Sequence, residues 1–171
     1  MGNPARSLND LFHVGEICSI KPENATARVE FEDLRDADDK PLISADLPIL
    51  FLRTFGQRDY CMPRIGERVF CAFLGNGIEA GFILGGFYFE GVPPPVTDPD
   101  KRHTAFEDGT WLEYDQKMHK LTAHVNGAID VFATGDIAVK TAANFSVEAV
   151  GDVVIRAGGN VEVRGRTVHL N

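Results

Sequence analysis

Gly127–Asn171 reads in eights as GAIDVFAT (127–134), GDIAVKTA (135–142), ANFSVEAV (143–150), GDVVIRAG (151–158), GNVEVRGR (159–166) and an incomplete TVHLN (167–171). Position 1 is glycine at Gly127, Gly135, Gly151 and Gly159, with Ala143 the exception. Position 2 is Asp136, Asn144, Asp152 or Asn160 in the octads that follow the first. Positions 3 and 5 form an apolar column: Ile129 and Val131, Ile137 and Val139, Phe145 and Val147, Val153 and Ile155, Val161 and Val163. Position 6 is mostly charged (Lys140, Glu148, Arg156, Arg164) and position 7 is always small. Alternation with period two marks a half-buried strand, and Gly followed by Asp or Asn is turn chemistry. Each octad is therefore a short strand and one corner, and a run of them predicts stacked coils.

What closes the stack decides the architecture. A single chain laying one octad on each face of a triangular prism needs three octads per coil. It would complete fewer than two coils, below the three or so repeats that a solenoid needs to bury a core. Three identical chains wound together remove the difficulty, because each layer takes one octad from every chain. Six apolar side chains then meet in each layer, each worth roughly 1.5–3 kcal/mol when fully buried. With strands about 4.8 Å apart, five or six layers make a rod of roughly 27 Å. Edges inside such a rod are paired and only its ends are open. The expectation is an obligate homotrimer ending in an intertwined, triple-stranded β-helix prism whose core is the column from Ile129 to Val163.

The whole chain, 171 residues, has room for one ordinary domain or a modest domain with an appendage. Its net charge of −8 is spread along the sequence with no basic cluster, which argues against nucleic acid as a partner. Three cysteines, Cys18, Cys61 and Cys71, show neither C-x-x-C nor metal-ligand spacing, and read as reduced, mostly buried thiols of a protein made in the cytoplasm. No apolar run approaches the length of a membrane span, and the first residues lack a signal-peptide pattern. Action on a membrane would then have to be delivered from outside or by machinery.

Along the chain, residues 5–13 predict one or two helical turns. Strand patterns follow at 14–20 and 24–31, separated by the turn Lys21-Pro22-Glu23-Asn24. Residues 32–40 (EDLRDADDK) read as an acidic, solvated loop. Strands resume at 43–51, where Pro48 signals an edge or a kink. After a longer loop over 53–64 come strands at 67–74 and 80–89, joined by Gly75-Asn76-Gly77, a hairpin signal because Asn-Gly readily takes positive φ. Five strands in this length predict a small, closed or nearly closed antiparallel barrel, with Gly85-Gly86 permitting sharp coiling. Pro93-Pro94-Pro95 is a stiff spacer. Residues 98–126 read as a hairpin-like collar feeding the prism. The expected organisation is an N-terminal extension (1–13), a barrel (14–92), a Pro-rich linker and collar (93–126) and the octad spike (127–171).

Little in the chain reads as catalytic. Asp130, Asp136, Glu148, Asp152 and Glu162 fall at corner or outward positions, where solvated charge is the simpler reading than paired glycosidic carboxylates. His13, His103, His119 and His124 have no partner spacing and are expected at the surface or an interface. No nucleophile-elbow, phosphate-loop, zinc-protease or dinucleotide signature occurs, and no enzyme activity is expected. Phe132 and Val154 break the outward pattern; Phe132 is a candidate to pack beneath the collar, and Val154 has no account beyond an exposed valine.

His169 differs by position. Continuing the octads places His169 at inward position 3 and Asn171 at inward position 5. Three chains would bring three imidazoles onto the axis, with three amides or terminal carboxylates one step beyond. That donor set suits an octahedral first-row metal, and unpaired polar groups crowded there would otherwise be costly. Two other readings stand beside it: a register slip that turns Val168 and Leu170 inward, and water satisfying the imidazoles.

The segments Val14–Phe31 (VGEICSIKPENATARVEF), Pro63–Phe87 (PRIGERVFCAFLGNGIEAGFILGGF), Phe106–Tyr114 (FEDGTWLEY) and the octads down to Thr167–Asn171 together resemble the central spike, or baseplate assembly protein V, family of contractile-tailed bacteriophages and R-type bacteriocins. The resemblance implies an OB-like five-stranded barrel, a trimeric β-helix spike and a place at the centre of the baseplate beneath the tail tube. It implies tail hub or tube proteins as partners, the bacterial outer membrane as target, and a virion tail baseplate or bacteriocin particle assembled in the host cytoplasm. Members carry at the apex a His-x-His pair from each chain that binds one iron ion. Here the matching residues are His169-Leu170-Asn171, so one histidine of the pair carries over. Some relatives bear a separate tip protein instead, and the spike of the type VI secretion system is similar in plan but usually longer. Two rival readings are an OB-type nucleic-acid-binding module with a trimerising tail, tested by single-stranded DNA binding, and a carbohydrate-acting trimeric β-helix, tested by turnover of envelope glycans.

Overall fold

The computed structural model describes residues 11–74 and 78–169. The chain divides into two units, Met1–Asn126 and Gly127–Asn171. Among its described residues the first contains nine strands: β1 Phe12–Lys21, β2 Thr26–Arg35, β3 Pro41–Ile43, β4 Leu47–Pro48, β5 Arg68–Phe73, β6 Gly81–Gly86, β7 Lys101–Ala105, β8 Trp111–Asp115 and β9 Lys120–His124. They form two antiparallel sheets. Among the described residues there is no α-helix, only the 3-10 turn Pro22–Asn24.

In the larger sheet the order is β3-β2-β1-β5-β6, with β4 also on β2. Just after β4, Ile49 bridges Ile83 in parallel, and the Leu50 N–H donates to the Ile83 carbonyl at 2.9 Å. The pairings therefore run in a ring, β1–β2–β4–β6–β5 and back to β1. Alternate residues point into it: Ile17, Ala27, Val29, Phe31, Leu47, Val69, Cys71, Phe73 and Ile83 form one buried cluster. Phe31 and Phe73 meet edge to face at 5.8 Å. Burial pushes the Cys71 thiol up to about 12.

Three details depart from what the pattern predicts. The strand expected over 43–51 is split, because Ser44 takes the place of a ladder residue. Its buried Oγ accepts the Val29 N–H at 2.9 Å and donates to the Ala45 carbonyl at 2.7 Å, while its own N–H donates to the Val29 carbonyl at 2.9 Å. β2 runs on through Arg35 into the stretch read as a loop, because Leu34 packs against the core while acidic neighbours face out. The turn proper is held by Asp36, whose Oδ1 accepts the N–H groups of Asp38 and Lys40, both at 2.9 Å. Phe12 and His13, expected at the end of a helical turn, are in β1, and residues 5–10 of that expectation lie outside the described residues.

Gly85 has the role the sequence predicted for it. The β5–β6 register slips between Phe70 and Cys71, and Gly85 supplies φ +153 at the bulge, a conformation that costs a side-chain-bearing residue. The Gly75-Asn76-Gly77 turn lies outside the described residues.

The collar expected as a hairpin is a three-stranded meander, β7-β8-β9. Asp108 builds its first turn, accepting the Thr110 N–H at 2.8 Å and the Thr110 hydroxyl at 3.0 Å. Those two bonds hold its carboxyl below the ordinary range, the backbone one first.

Among the described residues of the second unit there is no strand. The unit is an extended chain that bends at 126–127, 134–135, 142–143, 150–151, 158–159 and 166–167. The bends recur every eight residues, in step with the octads.

Candidate functional site

Two places in the molecule carry unusual chemistry: the octad column and the face of the small sheet. In the octads the ten side chains at positions 3 and 5 are between 54% and 75% exposed, against essentially none for the buried cluster of the larger sheet. Among the described residues of this unit, no backbone N–H finds a backbone carbonyl of the same chain. A strand-like chain with free backbone groups and a full apolar stripe is an unfinished structure, because ordering it must be offset by burial and pairing that one copy does not supply. Fully covered, the column is worth about 15–30 kcal/mol per chain as an upper bound. The glycines at Gly127, Gly135, Gly151 and Gly159 take no positive φ, and a Cβ added to any of them meets nothing within 4 Å. The corner conformation within one chain thus does not require them, and turn chemistry, as read from the sequence, is not the reason for their placement.

His169 is exposed, and Asn171 lies outside the described residues. Among the described residues no group of three histidine, cysteine or carboxylate side chains is close enough to hold an ion. Phe132, a candidate to pack beneath the collar, is exposed, as are Val150 and Val154.

Of the histidines in the first unit, His119 and His124 are exposed as expected, while the side chains of His13 and His103 are largely covered. His13 is a core-edge residue: its side chain is 10% exposed, its ring lies 5.8 Å from those of both Phe31 and Phe73, and Nδ1 is 3.3 Å from an Asp33 carboxylate oxygen. On the small sheet, cross-strand register places His103 opposite Glu113 and Trp111 opposite His124. The three rings stack in the order His103–Trp111–His124, each step 5.7 Å between centroids. Glu113 accepts from Lys101 Nζ at 2.9 Å and lies 3.0 Å from His103 Nδ1. The Lys101 ammonium first, and His103 after it, hold the Glu113 carboxyl below its usual range, and Lys101 is raised in return. Period two in residues 101–124 was the signal for this cluster; the missing piece was register, which decides which polar residues share a face. Cys61, expected buried, is exposed, and Cys18 is half-buried.

No protein-family model matches the chain. Over 80 residues it is 30% identical to the Spike protein of Escherichia phage P2, a stretch that covers 47% of this chain and 38% of that protein. The chain thus spans less than half the length of the curated relative it matches.

Proposed function

We propose that this protein is the structural central spike of a contractile tail baseplate: a homotrimer with an OB-like barrel in each chain and a triple-stranded β-helix formed by three octad segments. The observation that carries the proposal is the octad column, apolar, strand-like, bent every eight residues and exposed in a single chain. The likeness to a phage spike protein supports the setting, and the closed ring of strand pairings supports the barrel. In this reading the function is mechanical. Sheath contraction drives the prism against the bacterial outer membrane, and a rod with no open lateral edge transmits force along its axis without fraying. Tail hub or tube proteins hold the other end, and the spike closes the hub before contraction.

The apex is part of the same proposal. One chain offers one imidazole at His169, which is not a metal site by itself. Three chains offer three, with Asn171 beyond them, and that set fits an octahedral divalent ion such as iron, one per trimer. The ion would tie the three chain ends together; a separate tip protein over a blunt end is the alternative.

The test uses tail particles assembled with the wild-type chain or with Val153→Asp. Particles with the variant are expected to lack the central spike and to leave outer-membrane vesicles intact on contraction. Full membrane breaching by variant particles that incorporate the mutant chain would overturn the proposal. Metal analysis of the purified wild-type trimer and of His169→Ala tests the apex, with loss of one equivalent per trimer expected.

A further inference from the structure

The outside of the barrel is not uniform. On β2 the outward residues are Arg28, Glu30 and Glu32, as a solvated sheet face should be. Across β1, β5 and β6, beside the charged pair Glu16 and Arg68 at one end, the outward residues are apolar: Phe12, Val14, Phe70, Ala72, Phe82 and Leu84. The five larger ones are 37–49% exposed, in a sheet position where polar residues are the rule. Phe12 and Phe70 stack at 5.5 Å, and with Val14 they floor a groove of about 380 Å³ whose wall carries Glu32 and Asp33. Arg68 stands 3.5 Å from Glu32 and His13 3.3 Å from Asp33, so the wall has one carboxylate more than it has fixed cations.

The same barrel carries a shape that fits this groove. In the loop before β5, Arg53 grips Asp59 with two hydrogen bonds of 2.9 Å and Gln57 with one of 3.0 Å, and the Phe51 and Tyr60 rings stack behind it at 6.1 Å. The clamp projects Leu52 and Phe55, which are 94% and 95% exposed, with Arg58 exposed three residues past Phe55. A loop held this firmly has already met much of the ordering cost of binding, and a central aromatic beside an arginine is the composition of an interface anchor.

We infer that the Phe55 loop of one chain docks in the Phe12–Val14–Phe70 groove of a second copy, with Phe55 on the apolar floor and Arg58 against Glu32 and Asp33. Knob and groove are different surfaces of one chain, so the contact is head to tail, and three copies close it into a ring. The inference rests on the trimer proposed above, which would hold the barrels at high effective concentration and let a modest contact form. It also accounts for an apolar patch that the interior of the barrel does not need.

The test is an exchange of cysteines between copies, in full-length chains carrying Cys61→Ser. One differently tagged chain carries Phe55→Cys and the other Val14→Cys, and the two are co-expressed and mildly oxidised. A disulfide joining the two tags is expected, with neither variant linking to itself, and native mass is read on the same sample. A trimer without the mixed link overturns this inference and leaves the trimer standing. Val14→Cys linking to itself overturns it in favour of like faces meeting, and a monomer without the link overturns both. Arg58→Glu should lower the yield of the mixed link severalfold, and Glu32→Arg in the partner should restore it.

Discussion

The larger sheet and the octads use the same alphabet and reach opposite results. Val29, Val69 and Ile83 are fully enclosed by their own chain. Val131, Val153 and Ile155, on the same period of two, are more than half exposed. The difference lies in how the strands are joined. Turns such as Pro22–Asn24 send the chain of the larger sheet back on itself, so that β1 meets β2 antiparallel within a few residues and its apolar rows find facing rows. The octads bend at intervals of eight and keep going, and each extended piece is left without a neighbour. Apolar alternation therefore announces a buried face, while the connections decide whose side chains bury it.

That contrast can be broken most severely at Val153. Val153→Asp would place three carboxylates in one layer of the proposed prism with no partner, and should abolish the trimer in a native mass measurement while the barrel still unfolds cooperatively. The converse change is Phe31→Ala, in the closed core. It should cost the first unit about 3–5 kcal/mol in denaturant unfolding and leave the assembled mass unchanged at protein concentrations where the barrel remains folded. Ser44→Ala removes the buried hydroxyl that the Val29 N–H uses, and should cost about 1–3 kcal/mol by the same measurement.

The smallest effect is one of pH. Glu113 is held below its ordinary value of 4.5 by Lys101 and His103, so its contribution to stability is complete above that value and is lost as pH falls through the lower folded one. Lys101, raised above 10.5 chiefly by its hydrogen bond to Glu113, contributes below that value and loses the contribution as pH rises through the higher one. Glu113→Gln should flatten the acid limb of unfolding followed by Trp111, the chain's single tryptophan.

The positions of most strands of the larger sheet were legible because a half-buried strand must alternate. The split of the third strand was not, since a serine that replaces a ladder group looks like any other serine until Val29 is set beside it. His13 and His103 were misplaced for a related reason: a polar residue is buried when register supplies its partners, and Asp33 and Glu113 come from other strands. Phe70 shows the opposite failure. Within the apolar run 69–74 nothing local marks it as outward, and only the faces of β1 and β6 reveal the exposed patch to which it belongs. The eight-residue period of the octads was legible as pattern and recurs in the bends of the chain, whereas the inward place expected for His169 has no counterpart in a single copy, where that residue is exposed.

The most direct measurement is hydrogen exchange on the purified full-length protein together with its mass in sedimentation equilibrium. The account predicts a particle of three times the 18.8 kDa chain mass, with amides across 128–169 protected and the protection lost on dilution below the assembly threshold. A folded particle of single-chain mass with those amides protected would contradict it.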